Sequence, residues 1–154
     1  KPTPSISKCQ NTIDLERMEN KKISRSKINS LKNITKYQIE GTDFFVGKNN
    51  LQNNYLTHNF AKNNDYWFHV KGDAGSHVLL VTEGREPTDL DFTTAAEIAA
   101  YHSKAEGSNI GVDYTLAKNV KKVAGSRPGF VIYHTNWTAY VTPNGEKINS
   151  LRKK

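Results

Sequence analysis

The chain has one cysteine, Cys9, and one methionine. With no second thiol an intrachain disulfide is excluded, and no further ligands stand around Cys9 at zinc-site spacing. This fits a reducing compartment, so cytoplasm is the expected location. Long apolar runs are also lacking. None exceeds four residues, as in Val78-Leu79-Leu80-Val81, whereas a membrane span needs roughly 18. No charged start followed by an apolar h-region is visible, which argues against a secretory signal. The first residue is Lys1, and the chain is expected to be a piece of something longer.

What is present is enough for one domain: 154 residues, 36% hydrophobic and 10% aromatic, can fill a single buried core. The formal charge of +7 is unevenly spread. Residues 1–36 carry nine Lys/Arg against three Asp/Glu, whereas residues 37–154 carry thirteen against twelve. Within the latter, Glu83 to Glu97 holds five acids and only Arg85, while Leu116 to Gly129 holds Lys118, Lys121, Lys122 and Arg127 with no acid. Such a strip attracts phosphates even where the domain as a whole is nearly neutral.

Residues 1–36 read as a polar, disordered start followed by a broken helical connector, the end of a coiled-coil region or a solvated linker. The compact domain is expected over 37–154. A hairpin of Tyr37–Glu40 and Asp43–Val46 turns at Gly41-Thr42, and Leu51, Tyr55, Leu56 and Phe60 mark one apolar face of a helix over Lys48–Phe60. Tyr66–Val70 and His77–Val81 read as strands. Pro87 and Asp91 introduce a second helix, Phe92–Ala105, whose alanines predict close packing on a sheet. Ile110–Thr115, Gly129–His134 and Thr138–Val141 complete the order β-β-α-β-β-α-β-β-β, a single α+β domain with two helices and a mostly antiparallel sheet.

Three groups of residues carry candidate chemistry. Gly47-Lys48-Asn49-Asn50 stands at a strand-to-helix junction, where free N–H groups hold an anion or Asn49 simply caps the helix. It is not the nucleotidase phosphate loop, whose Gly-rich turn is longer and whose Lys precedes Ser or Thr. In Tyr66–Val70 the period of two puts Trp67 and His69 on one face. An aromatic beside a hydrogen-bonding ring, with Lys71, Ser76 and His77 nearby, fits a base or sugar platform; the plainer reading is structural histidines. Asp65, Ser76, His69 and His77 also permit a hydrolase reading. Two histidines without a third ligand predict no metal site, and no motif calls for a cofactor. The third group is the strip of Lys118, Lys121, Lys122 and Arg127, whose neighbouring glycines let backbone approach a polyanion; its plainer reading is a solvated charge run.

The segment from about Phe45 to Val141 resembles the NFACT-R domain, the C-terminal RNA-binding module of the NFACT proteins of ribosome-associated quality control. The resemblance is carried by Val46-Gly47-Lys48-Asn49-Asn50 with Gln52-Asn53, by Asp65-Tyr66-Trp67-Phe68-His69-Val70-Lys71, and by Gly75-Ser76-His77-Val78. Ala95-Ala96 through His102-Ser103, Val112-Asp113-Tyr114-Thr115 and Val120-Lys121-Lys122 to Pro128-Gly129 complete it. Asn54, Ala74 and Val123 depart from the usual family residues. The resemblance implies a longer protein with an N-terminal NFACT domain, a helix-hairpin-helix region and a coiled coil. Such a protein binds tRNA and obstructed large ribosomal subunits and, in bacterial and archaeal relatives, tails the stalled chain mainly with alanine. The Asp-Arg pair tied to tRNA handling in that N-terminal domain has no counterpart here, so tailing falls on no residue of this chain.

The expected function is thus RNA binding, to tRNA or the large subunit, without catalysis. Its candidate residues are Lys48, Asn49, Asn50, Trp67, His69, Lys71, Ser76, His77, Lys118, Lys121, Lys122 and Arg127. The alternative is a protein-interaction domain that packs on its own N-terminal domains, on a ribosomal protein, or on a matrix protein, as an older fibronectin-binding label of some family members implies.

Overall fold

A computed structural model describes residues 34–72, 75–105, 107–134 and 136–153. The connector expected over residues 1–36 lies, as far as residue 33, outside them. Ile34–Lys154 forms one compact unit, and its first strand already contains Thr35 and Lys36.

Strands β1 (Thr35–Ile39) and β2 (Thr42–Val46) form the expected hairpin, but it turns one residue before the expected Gly41-Thr42, because Thr42 already pairs with Ile39. Its two turn residues, Glu40 and Gly41, both have positive φ, the geometry whose twist matches that of paired strands. Helix α1 (Asn50–Tyr55) follows and runs on as a π turn over Leu56–Phe60. Then come β3 (Tyr66–Val70), β4 (Val78–Leu80) and helix α2 (Asp89–Tyr101). The second half holds β5 (Ile110–Leu116), a 3-10 turn (Ala117–Asn119), β6 (Val120–Lys122), β7 (Val131–Tyr133), β8 (Trp137–Val141), helix α3 (Gly145–Ser150) and β9 (Arg152–Lys153). The sheet order is β8-β5-β3-β4-β2-β1-β9 and every pairing is antiparallel; β6 and β7 form a separate two-stranded ribbon. The architecture is α+β, as the sequence predicts.

Helix α2 seals one face of the sheet. Ala95, Ala96, Ile98, Ala99 and Ala100 are buried with Phe44, Val46, Phe68, Val70, Val78, Leu80 and Val112 in one core; the small side chains let the helix approach closely. The helix starts three residues before the expected Phe92, because Thr88 accepts from Asp91 N–H and the Asp91 carboxylate accepts from Thr88 N–H. This reciprocal cap satisfies two otherwise unpaired donors. It ends at Tyr101, before the expected Ala105: Ser103 Oγ accepts from Ala105 N–H and so turns the chain away.

Three elements go beyond the expected order. Strand β6 lies inside the segment read as a basic loop. Its three residues carry one buried side chain, Val120, and two exposed lysines, too short a pattern for period two to register. Helix α3 is six residues long and is held from outside, by the Asn144 cap, the buried Ile148 and a 2.9 Å ion pair from Lys147 to Glu97. Strand β9 exists only through its ladder with β1. Among the described residues no helix is long and apolar enough to cross a membrane.

Candidate nucleic-acid interface

On the face opposite α2, strand register fixes a lattice of side chains. His69 pairs with Asp113, which pairs with Thr138; Trp67 pairs with Leu79 on one side and Thr115 on the other. Trp67 and His69 stack at 5.6 Å with rings 2° from parallel, as the alternation along β3 predicts. The indole was also expected to be accessible, and it is not: Trp67 is 1% exposed. His77 meets it edge-on at 5.1 Å, and Tyr133 of the β6–β7 ribbon covers it at 5.0 Å. The ribbon is an arm folded back over the sheet, and it converts a candidate stacking surface into a second small core.

His77 is likewise a core group, 3% exposed. Its Nδ1 lies 2.6 Å from Thr57 Oγ1, and its backbone N–H donates to Asn53 Oδ1 at 3.0 Å. Burial, then the neighbouring His69 and His58, push it down to about 3, against hydrogen bonds with the backbone of Gly129 and Asn53 that raise it. The structural reading of His77 therefore replaces the surface reading. Ser76 is also buried, whereas His69 is half-buried, with its ring edge-on to His77 at 5.5 Å. Asp65 takes no part in this group. Its carboxylate accepts from the backbone N–H groups of Lys62, in the turn before β3, and of Thr82, just after β4.

The neutral His77 gives folding a pH dependence. Its pKa is 6.5 when free and about 3 when folded, so between these values the unfolded chain binds more protons. Stability is therefore complete above about pH 6.5 and falls as pH drops through that window, by up to about 1.4 kcal/mol per pH unit from this group. His58 and His102 shift in the same direction, while Asp65, whose carboxyl burial pushes up, opposes them. The melting temperature is expected to fall from pH 7 to pH 5, and His77→Gln to flatten part of that fall. Equal slopes in the two proteins would show that the imidazole does not take up a proton on unfolding.

The strand-to-helix junction is built by its own side chains. Asn49 Oδ1 caps α1 by accepting from Gln52 N–H, and Gln52 Oε1 accepts from Lys48 N–H, each at 2.9 Å. A side chain at Gly47 would collide with Asn53, whose backbone N would lie 2.8 Å from it. Asn53 is thereby free to hold His77. Two residues after Arg127, Gly129 (φ +87°) sits against Asn50, so that a Cβ there would come within 3.3 Å of the Asn50 carbonyl oxygen. This close approach brings the arm onto the start of α1. Lys122 lies near enough to His58, on the π turn, to depress its pKa after burial has done so. Lys121, Lys122 and Arg127 are all exposed on the arm, and Lys118 is exposed on the 3-10 turn.

The structure thus gathers Trp67, His69 and His77 into one cluster and seats the arm beside Asn50. Lys48 turns elsewhere. Its charge acts on His102, which accepts or donates to the Tyr37 hydroxyl at 2.8 Å and is held down to about 4 by burial, then by Lys48 and Arg152. Lys71, at the end of β3, lies 3.7 Å from Asp113 Oδ1. Three groups that motif reading passed over complete the face: Asp113, which is 5% exposed, Tyr133, which donates to its Oδ2 at 2.7 Å, and Thr138, which donates to its Oδ1 at 2.8 Å. Of the three, Asp113 had a sequence signal, the alternation of Gly111, Asp113 and Thr115 with Ile110, Val112 and Tyr114 along β5.

An antiparallel sheet sealed by a helix on one face and roofed on the other by an acid-free cationic arm is an α+β module of the class to which sheet-based nucleic-acid binders belong. Residues 32–134 match the NFACT protein RNA binding domain, and the chain belongs to that family. It is 45% identical over 114 residues to the Rqc2 homolog RqcH of Bacillus subtilis (strain 168), covering 73% of this chain and 20% of that protein. It is 48% identical over 112 residues to the Rqc2 homolog RqcH of Streptococcus suis (strain 05ZYH33), covering 72% and 20%. The chain spans about a fifth of the length of these relatives. A solved structure, the C-terminal of the fibronectin/fibrinogen-binding protein from Streptococcus suis, superposes with a TM-score of 0.75 at 43% identity. That match covers 78% of this chain and 50% of the solved one.

Proposed function

We propose that this domain binds tRNA or large-subunit RNA as part of a longer cytoplasmic protein, a ribosome-associated quality-control factor acting on stalled nascent chains. Its role there is to hold RNA and not to catalyse. The observation that carries the reading is the arm: Lys121, Lys122 and Arg127 are exposed on an acid-free ribbon that Tyr133 and Gly129 anchor to the sheet and to α1. Cations held on a fixed support give counterion-release affinity without ordering a loop at the moment of binding. Lys71, His69 and Lys118 extend the contact, with Asn49 and Asn50 at the junction beside it; Lys48, turned toward His102, lies outside it. Trp67, His77 and Ser76 act from below, by supporting the surface that RNA meets.

Photo-cross-linking of tRNA to the chain, followed by peptide mapping, tests this. Cross-links are expected in residues 118–130 and at His69 and Lys71, and none over the acidic stretch 83–97. Cross-links confined to residues 1–36 would reject the domain as the RNA contact. A second reading, contact with a protein partner, draws on the exposed Phe130 and Ile132 of the arm; it gains if RNA leaves the arm unlabelled.

A further inference from the structure

Beyond the arm, one exposed aromatic lies on the same face of the sheet. Tyr140 is on β8, two residues after Thr138, and is therefore on the Asp113 side. It is 65% exposed, the largest exposure of any big hydrophobic residue among those described. Its position is nonetheless defined. Tyr140 pairs with Gly111 across the β5–β8 ladder, and a Cβ at Gly111 would lie 3.2 Å from Tyr140 Cε1 and 3.6 Å from its Cδ1. The phenol thus occupies the space left by the missing side chain and lies across the strand. The third strand of the same row supplies Lys71, whose N–H donates to the Gly111 carbonyl at 2.9 Å. Phenol, bare glycine and ammonium-bearing side chain therefore succeed one another over three adjacent strands. Asp113, the acid beside Lys71 on this face, is nearly buried and already accepts from Tyr133 and Thr138 and pairs with Lys71.

We propose that Tyr140, supported by Gly111 and flanked by Lys71, is a stacking platform for an unpaired nucleotide of the bound RNA, a proposal that rests on the RNA-binding reading above. A flat, exposed ring beside a cation and polar side chains matches the way sheet surfaces take single-stranded bases: the base stacks and a cation meets the adjacent phosphate. Bases within a duplex are already stacked on each other and cannot use the ring. The platform therefore makes the domain distinguish unpaired from paired RNA, which the arm's phosphate contacts cannot do. It also replaces Trp67 in the stacking role, since Trp67 is covered by the arm.

The test uses the whole chain and two RNA probes, a short single-stranded oligonucleotide carrying 2-aminopurine and the same strand annealed to its complement. Wild type is expected to quench the single-stranded probe on binding. Tyr140→Ala should lose the quenching and bind that probe about ten- to a hundredfold more weakly, while its affinity for the duplex is unchanged. Tyr140→Phe, which keeps the ring, should behave as wild type in both assays. If Tyr140→Ala binds and quenches as wild type does, the platform is rejected while the RNA-binding reading stands. If the intact chain binds neither probe, both fall. Loss of self-association in Tyr140→Ala without a change in RNA affinity assigns the ring to a protein contact and also overturns the proposal.

Discussion

Trp67→Ala is expected to destabilise the domain by about 3–5 kcal/mol, the range for removing a large buried aromatic. The side chain is 1% exposed and is enclosed by His69, His77 and Tyr133. Its removal opens a cavity at the point where the arm meets the sheet. Against a total stability of about 5–15 kcal/mol, the melting temperature should drop by roughly 10–20 °C. Trp67→Phe should cost much less, because the indole N–H has no hydrogen-bond partner among the described residues, so replacing it strands no polar group. Thermal melts of the three proteins measure this. If Trp67→Ala melts within two or three degrees of wild type but binds RNA poorly, the ring is a contact surface after all, and the arm does not cover it in solution.

The second large effect concerns charge. Replacing Lys121, Lys122 and Arg127 together by Ala, in a protein trimmed to residues 34–154, is expected to flatten the log–log salt dependence of tRNA affinity by about two to three units. Each phosphate contact contributes roughly 0.7–0.9 of slope, and at 0.1 M salt the loss should be on the order of a hundredfold. Trimming is required because residues 1–33 carry eight cations against three acids and would mask the arm. The loss should be similar for unrelated RNA sequences, since phosphate contacts position without specifying. All three side chains are exposed, so the melting temperature should hardly move. An unaltered salt slope would reduce the arm to a solvated charge run and remove the main physical support for its role. Taken with the Trp67 series, the two experiments separate support from contact, because one side chain should govern melting and the other three the salt slope.

Local chemistry was legible wherever a residue's neighbours in sequence are also its neighbours in space. Period two along Tyr66–Val70 assigned Trp67 and His69 to one face, and they stack there. Alanines on α2 implied close packing on a sheet, and Ala95, Ala96, Ala99 and Ala100 are buried against it. The β1–β2 hairpin followed from its short turn. Whether a face is open or covered is another matter, because the covering group is distant in sequence: Tyr133 lies 66 residues beyond the Trp67 it buries. No window around Trp67 contains that information, so its burial and that of His77 emerged only from the tertiary structure. The same holds for Arg152 beside His102 and for Tyr140 lying over Gly111. Alternation decides which way a side chain points, by strand geometry alone. Exposure is set by long-range packing, and with it the choice of which aromatic remains open to meet a base.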